Sequence, residues 1–523
     1  MPPAQPSHIA IIGAGIGGLA AALRLASAGL QVSVFDSHTA PGGKMRTVPS
    51  AAGPVDAGPT VLTLKPVFDA LFADAGARLE DHVTLETEPL LARHFWPDGT
   101  TLDLFSDIQA SVDTVSRTFG TTAAAEFRAF TARANRLFDA FEGPMMQAAT
   151  PSLGALTRHT LRNPALIPQM APHQTLSRML ARRFSDPRLA QLFARYATYV
   201  GGTPEQSPAI LSLIWAAEQR GVWHVKGGMH RLAVAIADLA QANGASFHFD
   251  AHVTRIEMQD QQPVAIHTNG DRHPVDMVLF NGDPRALTQG ALGDGITTAV
   301  SGQATEPRSL SAQVHAFAAT VDDTVPLAAH NVFFAADPAR EYHPLHKGKA
   351  QSDPTLYICA QDRFGGRKPV GQERFEIIMN AAPVGSGAAP DDNEVTKCQT
   401  LIFNRLRQFG LHFTPTPGPE TLTGPAAFHQ MFPHSAGSLY GRSPRGMMAA
   451  FHRPTARTAI KGLYLVGGGA HPGAGVPMAT LSAAHAADAI LNDLSLTSTS
   501  RPADTHGGMS MGSATMARAP FRS

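Results

Sequence analysis

A short apolar run, Ile9–Ile12, runs into Gly13-x-Gly15-x-x-Gly18 and then into an Ala/Leu-rich stretch that ends at Gly29. A second apolar run, Val32–Phe35, follows and delivers Asp36, 23 residues after Gly13. This order of strand, glycine turn, helix, strand and acid restricts the fold more than any other stretch of the chain. Each part has a physical task. Gly13 makes the tight turn, Gly15 lets the backbone approach a pyrophosphate, and Gly18 lets the helix pack closely on the strand. The uncapped N–H groups and positive dipole end of the helix face the phosphates. Asp36 is placed to accept hydrogen bonds from a ribose. The glycine spacing alone suits NAD and FAD equally.

Further along, Pro41-Gly42-Gly43-Lys44-Met45-Arg46 adds backbone N–H groups and two cations suited to a phosphate edge, with Gly43, Lys44 and Arg46 as candidate contacts. The segment Val55-Asp56-Ala57-Gly58-Pro59-Thr60 breaks a strand and threads backbone past something flat or bulky. Near the other end, Leu463–Val466 leads into Gly467-Gly468-Gly469-Ala470-His471-Pro472-Gly473-Ala474-Gly475-Val476-Pro477. A helix beginning near Val476 would turn its N-terminus on a phosphate or a flavin edge.

Between these motifs, Lys65–Gln219 is mostly helical in pattern, with helices over Pro66–Ala75 and Thr121–Ala140 and a hairpin at His94–Phe105 turning on Asp98-Gly99. Val225–Met258 returns to a glycine turn, an amphipathic helix capped at Gly244 and two strands, and Pro274–Phe280 is a buried strand ending at Asn281-Gly282-Asp283-Pro284. Alternation at Ser311–Ala319, Asn331–Phe334, Thr355–Ala360 and Phe375–Asn380 predicts a mixed, largely antiparallel sheet, followed by a helix over Glu394–Leu411. After Asn492 the small and polar residues predict disorder to the end of the chain.

Several function classes are disfavoured. The 42 basic and 42 acidic residues balance, so no nucleic-acid partner is expected. Two cysteines, Cys359 and Cys398, predict neither a disulfide framework nor a cysteine-ligated metal. Neither a signal peptide nor a spanning helix is expected. His248 and His252 have HxxxH spacing, but in a strand they would stand roughly 13 Å apart, too far to share a metal. The GxSxG match at Gly508–Gly512 lies in the low-complexity tail, where a nucleophile elbow has no strand before it.

The order GxGxxG, acid, PGGK, DAGPTVLT and HPGAG resembles that of the phytoene-desaturase-type carotenoid desaturases within the amine-oxidase-like flavoproteins. GGKMRTVPSAAGPVDAGPTVLT and LARHFWPDGTTLDLF are most similar to the 1-hydroxycarotenoid 3,4-desaturases, or hydroxyneurosporene and methoxyneurosporene desaturases, of photosynthetic bacteria. The resemblance implies an α/β fold: a Rossmann-like FAD-binding domain with an inserted α+β substrate domain and a helical membrane-contact region. The FAD domain is then assembled from 1–75, 221–300 and 456–493, the substrate domain from 76–220 and 301–455, and 494–523 is a tail. The implied cofactor is FAD, held by Gly13, Gly15, Gly18, Asp36, Gly43, Lys44, Arg46, Gly58, Pro59 and Thr60 in the N-terminal part. Val253, on a strand facing the adenine, and Gly467, Gly468, Gly475, Val476 and Pro477 complete the set. Many FAD enzymes carry an aspartate where this chain has Gly468, so no side-chain ligand to ribitol is expected there.

The implied reaction removes two hydrogens from a saturated C–C unit beside a polyene, with oxygen, a quinone or an electron carrier as acceptor. His471 is the candidate proton acceptor, because it sits in the flavin motif and imidazole titrates near neutrality. The segment Gly143–Ser185 has no acid and five arginines, Arg158, Arg162, Arg178, Arg182 and Arg183, among many apolar residues. That composition suits either a solvated basic helix face packed on an internal core or a peripheral contact with the inner or intracytoplasmic membrane of a cytoplasmic protein. Another phytoene-type desaturase, a flavin-dependent carotenoid isomerase of the same fold and a non-catalytic flavin-binding protein are the competing functions.

Overall fold

The computed structural model describes residues 7–322, 324–385 and 392–499. Its first layer is a five-stranded parallel sheet, in spatial order Leu463–Leu465, Met277–Phe280, His8–Ile12, Gln31–Phe35, Ser246–His248. The central strand His8–Ile12 is buried on both faces, as its unbroken apolar run requires. One face packs on the fingerprint helix Ile16–Ser27, the helix His230–Ala242 and the C-terminal helix Val476–Thr499. The other face packs around Val253, Ile256, Ile266, Leu287 and Ile296. Distant parts of the chain thus contribute neighbouring strands to one sheet, and all five point their carboxyl ends the same way.

The second layer is an eight-stranded mixed sheet. Ser311–Val321, Glu373–Ala381, Leu356–Ala360 and His330–Phe333 pair antiparallel, and His330–Phe333 then pairs parallel with Leu90–Phe95 of the hairpin. Period-two alternation sorts the two faces. Phe375, Ile377 and Met379 pack with Ile402, Phe403 and Leu406 of the helix Asp392–Gln408. Ile378 and Asn380, one residue out of phase, face the interior cavity described below. A third, helical core is built on Phe127, Phe130, Leu189, Phe193 and Trp215.

Four expectations are corrected. The strand expected through His252 stops at His248, because the chain turns there and Asp250 takes a left-handed φ of 54°. Among the described residues no group of three or more His, Cys, Asp or Glu could hold a metal. The run Pro274–Phe280 is divided: Pro274 closes a separate antiparallel strand and Met277–Phe280 joins the parallel sheet. The C-terminal helix continues to Thr499, so residues 494–499 are helical rather than disordered, and the remaining tail, with Gly508–Gly512, lies outside the described residues. Within Gly143–Ser185, Leu176, Met179 and Leu180 are buried in the helical core, so these three apolar residues are not available for the surface contact expected from composition. Both cysteines are free and buried.

Candidate active site

A cavity of about 680 Å³ lies between the carboxyl ends of the parallel strands and the inner face of the mixed sheet. That end of an open parallel sheet is where α/β folds bind ligands. Ile12 and Gly13, Phe35 and Asp36, Phe280 and Asn281, and Gly467 bring the ends of four strands to its wall.

The glycine turn is tightly determined. Gly13 has φ of 106° and its N–H donates to Phe35 O at 2.8 Å. Gly15 caps the fingerprint helix in extended conformation with no side-chain cap, and Gly15, Ile16 and Gly17 line the cavity. The first N–H groups of that helix have no intrahelical partner and are available to a phosphate. A Cβ on Gly18 would stand 2.1 Å from Gly13 O, so this glycine works through helix–strand packing and does not itself line the cavity.

Two neighbours that the sequence did not single out complete the turn. Asn281 Nδ2 donates to Gly13 O at 3.0 Å and to Gly15 O at 3.3 Å. Gly17 lies against the C-terminal motif, where an added Cβ would meet Gly467 Cα and Asn281 Oδ1, each at 2.7 Å. Both residues stood within quoted motifs, but their importance arises from contacts hundreds of residues apart.

Asp36 accepts hydrogen bonds from Ala14 N (2.6 Å), His38 N (2.8 Å) and His38 Nδ1 (2.8 Å). Burial alone would raise its pKa; these hydrogen bonds outweigh that and hold it below the ordinary carboxylate value. It is therefore ionised and fixed at the cavity wall, as a ribose acceptor must be. Val253 also lines the cavity, on irregular backbone past the end of the strand, near where Ala251 N donates to Asp36 O at 2.9 Å.

The PGGK turn packs over the glycine turn, with Gly42 N donating to Ala14 O at 2.9 Å. Gly43, at φ of 58°, sits so that an added Cβ would stand 3.1 Å from Gly15 Cα. Gly58 passes under Lys44 O, 2.1 Å from where its Cβ would be, and Pro59 and Thr60 continue along the cavity. The two cations take different places. Lys44 lines the cavity; its Nζ donates to Leu439 O at 2.7 Å, and burial pushes its pKa down to about 8. Arg46 is turned away from the cavity lining: its Nη2 donates to Thr423 Oγ1 at 2.8 Å and it lies over the Phe428 ring. The expectation that Arg46 contacts the phosphates is corrected accordingly.

At the C-terminal motif Gly467 has φ of 98°, and its N–H donates to Ser482 Oγ. Gly468 lines the cavity while its carbonyl accepts from Arg453 Nη1 at 2.7 Å; Arg453 also donates to Tyr440 O and Arg442 O. Arg453 thus fastens the motif to the preceding loop, a role no local pattern announced. Gly475 (φ of 107°, open space at its Cβ position), Val476 and Pro477 turn the start of the C-terminal helix toward the cavity.

His471 is elsewhere. Its ring is outside the cavity lining, 3 % exposed, stacked on His485 at 5.7 Å. Its Nε2 donates to Ala148 O at 2.8 Å, and His485 Nε2 donates in the same way to Met146 O at 3.0 Å. Burial lowers its pKa to about 4, so it is a neutral packing ring that, with His485, ties residues 146–148 to the C-terminal glycine motif and its helix. The reading of His471 as proton acceptor is not supported by this placement, since the ring lies outside the cavity lining.

The residues present fit a dinucleotide cofactor. Two helix N-termini, from opposite ends of the chain, open on one cavity, and Gly15, Gly17, Gly43 and Gly467 let the backbone segments that cradle it approach closely around the Asn281 side chain. The rest of the lining is different: Val61, Leu91, Ala92, Val222 and Ile378 form an apolar chamber, interrupted by Arg195, Thr198, Tyr199, Glu218, His330, Thr355 and Tyr357.

Comparison with known proteins agrees with this geometry. The family model described as flavin containing amine oxidoreductase matches residues 16–491. The chain is 53 % identical over 487 residues to a hydroxyneurosporene desaturase of Cereibacter sphaeroides, covering 93 % of this chain and 98 % of that one. It is 49 % identical over 489 residues to the Rhodobacter capsulatus protein of the same name, again covering 93 % and 98 %. Among solved structures, cyclohexylamine oxidase from Brevibacterium oxydans superposes with a TM-score of 0.58 at 16 % identity, covering 94 % of this chain and all of that one.

Proposed function

The chain belongs to the flavin-containing amine oxidoreductase family and is an oxidoreductase with FAD as cofactor, and on that premise we propose that it is a carotenoid desaturase of carotenoid biosynthesis. Its reaction in this reading introduces the C-3,4 double bond into 1-hydroxy or 1-methoxy acyclic carotenoids such as 1-hydroxyneurosporene. The observation that carries the proposal is the single cavity that runs from the glycine turns into an apolar chamber, in a chain about half identical to two hydroxyneurosporene desaturases.

Bound FAD supplies the hydride acceptor, flavin N5, and the oxidising power. The protein's own residues bind, orient and exclude water. Gly13, Gly15, Asp36 and Gly43 would hold the ADP half, and Gly58, Pro59, Thr60, Gly467, Gly468, Gly475, Val476 and Pro477, which line the same cavity, would hold the rest. Val61, Leu91, Val222 and Ile378 surround the reacting carbon chain with hydrocarbon, which keeps water from positive charge developing beside the polyene. Hydride loss leaves an allylic cation whose neighbouring C–H is acidic, so no strong base is required. That agrees with His471 lying outside the chamber.

The substrate dissolves in lipid, and the reading therefore includes a peripheral membrane contact on the inner or intracytoplasmic membrane. Among the described residues no helix is long and apolar enough to cross a membrane. The helices Leu153–Arg162 and Leu166–Met170 bury none of their residues, and they expose Leu153 (49 %), Leu161 (67 %) and Ile167 (41 %) beside Arg158 and Arg162. Such a face suits an anionic bilayer. Flotation with anionic liposomes tests it: wild type floats, and a Leu153→Ser/Leu161→Ser/Ile167→Ser variant stays at the bottom. Equal flotation of the two removes this face as the contact.

For the reaction itself, the FAD-loaded protein is incubated with 1-hydroxyneurosporene and followed by absorption and chromatography. A red shift of one conjugated double bond is expected. A changed isomer ratio at constant conjugation would instead identify an isomerase, and no change with any acceptor a non-catalytic flavin-binding protein.

A further inference from the structure

Polar side chains in a chamber built for hydrocarbon need a reason. Arg195 opens the 3-10 turn Arg195–Val200 and Glu218 lies in the helix Ile214–Gln219; both line the chamber with Tyr199 and Tyr357. Arg195 Nη2 donates to the Tyr199 hydroxyl at 2.7 Å, and that hydroxyl donates to Glu218 Oε1 at 3.3 Å. The Tyr196 hydroxyl donates to the other carboxylate oxygen. The guanidinium carbon lies 4.9 Å from the centre of the Tyr199 ring and 5.9 Å from that of Tyr357. The network holds the guanidinium in one place and sets a carboxylate one hydroxyl away, without a direct ion pair among the described residues.

A guanidinium has five N–H donors, and only the bond to Tyr199 uses one of them among the described residues. The others belong to a side chain that lines the chamber. A purely hydrocarbon occupant would dehydrate them and return nothing, which is the costly state of a buried polar group. An occupant carrying an oxygen beside them would restore their hydrogen bonds.

We infer that Arg195, seated by Tyr199 and Glu218, is the subsite that binds the terminal oxygen of the substrate, whether alcohol or methyl ether. The inference rests on the desaturase reading and names what that reading leaves open, the origin of the preference for an oxygenated end. Both oxygens accept hydrogen bonds, and a donor-only guanidinium serves either, whereas a carboxylate alone would select the alcohol. The position is also suitable. In a 1-oxygenated substrate one methylene carbon separates the oxygen-bearing carbon from the C3–C4 bond, so the subsite must border the cofactor side of the chamber. Tyr357, whose ring faces Arg195, shares a 2.8 Å hydrogen bond with Thr60 of the Gly58-Pro59-Thr60 segment.

The test titrates FAD-loaded protein with 1-hydroxyneurosporene, its 1-methyl ether and neurosporene, which lacks the oxygen, reading binding from perturbation of the flavin spectrum. Sites built around a substrate's polar group reject the analogue lacking it by large factors, so wild type is expected to bind both oxygenated carotenoids about 100-fold or more tightly than neurosporene. Arg195→Met should bind all three within about threefold of one another, and Arg195→Lys, which keeps charge but loses the fork, should fall between. Normal flavin content shows that each variant is folded. An unchanged preference in Arg195→Met, or none in wild type, overturns the subsite. Should Arg195→Met fail to retain FAD, Tyr199→Phe takes its place: it unseats the guanidinium and is expected to lower the preference about tenfold, and an unchanged preference there overturns the subsite as well. Turnover is measured separately on the same ligands. Arg195-dependent binding without desaturation overturns the desaturase reading and leaves the subsite standing; desaturation with the same preference in every variant does the reverse.

Discussion

Replacing Gly17 by alanine tests how the two ends of the chain are joined around the cofactor. The new methyl group would lie 2.7 Å from Gly467 Cα, 2.9 Å from Gly467 N and 2.7 Å from Asn281 Oδ1. Carbon atoms in contact prefer about 3.5–4.0 Å, so the fingerprint helix and the C-terminal motif must separate by roughly 1 Å. Neither side can yield by rotating a side chain. Gly467 is backbone, held by Ser482 through its N–H, and Asn281 is held by the carbonyls of Gly13 and Gly15. Overpacking of this kind costs about 1–3 kcal/mol. Because Gly17 and Gly467 both border the cofactor cavity, the separation should appear in FAD binding: about 2 kcal/mol corresponds to roughly 30-fold weaker affinity. Titration of apoprotein with FAD measures this directly. Gly29→Ala is the control, since Gly29 has φ of 83° with nothing within 4 Å of its Cβ position. It should lose about 1 kcal/mol of stability with FAD affinity intact. Wild-type FAD affinity in Gly17→Ala would refute the idea that this glycine contact shapes the cofactor site.

Two titration experiments address groups whose pKa values the fold displaces. His471→Asn should leave the pH dependence of kcat/KM unchanged, because the ring does not meet the chamber, whereas loss of a pH limb near neutrality would restore it as a base. Its folded pKa, about 4, lies below the ordinary 6.5, so its contribution to stability is full above pH 6.5 and is lost as pH falls toward 4. The gap in stability between wild type and His471→Asn should therefore narrow by up to about 2 kcal/mol from pH 7 to pH 5, as read by urea melts; a constant gap contradicts the burial argument. Glu341 has the opposite sign. Burial lifts it to about 7, the native state holds its proton, and stability is lost as pH rises from the ordinary carboxylate range through 7. Glu341→Gln, which imitates the neutral acid, should gain on wild type between pH 5 and pH 8 by up to about 3 kcal/mol, and no gain would mean that Glu341 is ionised.

What the sequence disclosed and what it withheld follow from the range of the forces involved. Gly13, Gly15 and Asp36 were legible because turn conformation, close backbone approach and strand length are local constraints. The start of the C-terminal helix at Val476 was legible for the same reason. Side-chain direction was not. His471 sits in a motif that suggested chemistry, yet its ring is claimed by Ala148 O, 323 residues away in the chain. Lys44 and Arg46 are two residues apart and read alike as cations, but one meets Leu439 O beside the cavity and the other meets Thr423 outside its lining. In Gly143–Ser185, composition disclosed charge and apolarity but not which apolar residues the helical core would take, and the core took Leu176, Met179 and Leu180. Sequence order could not show that Arg195, Tyr199, Glu218 and Tyr357 meet, because three elements separated by up to 162 residues bring them to one wall.

The central claim is that this cavity couples removal of two hydrogens from a carotenoid to reduction of bound FAD. It is tested most directly by an anaerobic single turnover: FAD-loaded protein is mixed with excess 1-hydroxyneurosporene, and the oxidised-flavin band and the carotenoid spectrum are followed together. One oxidised flavin is expected to be lost for each carotenoid that gains a conjugated double bond, with both changes at the same rate. A carotenoid spectrum that shifts while the flavin stays oxidised, or a flavin that bleaches with the carotenoid unchanged, would contradict it.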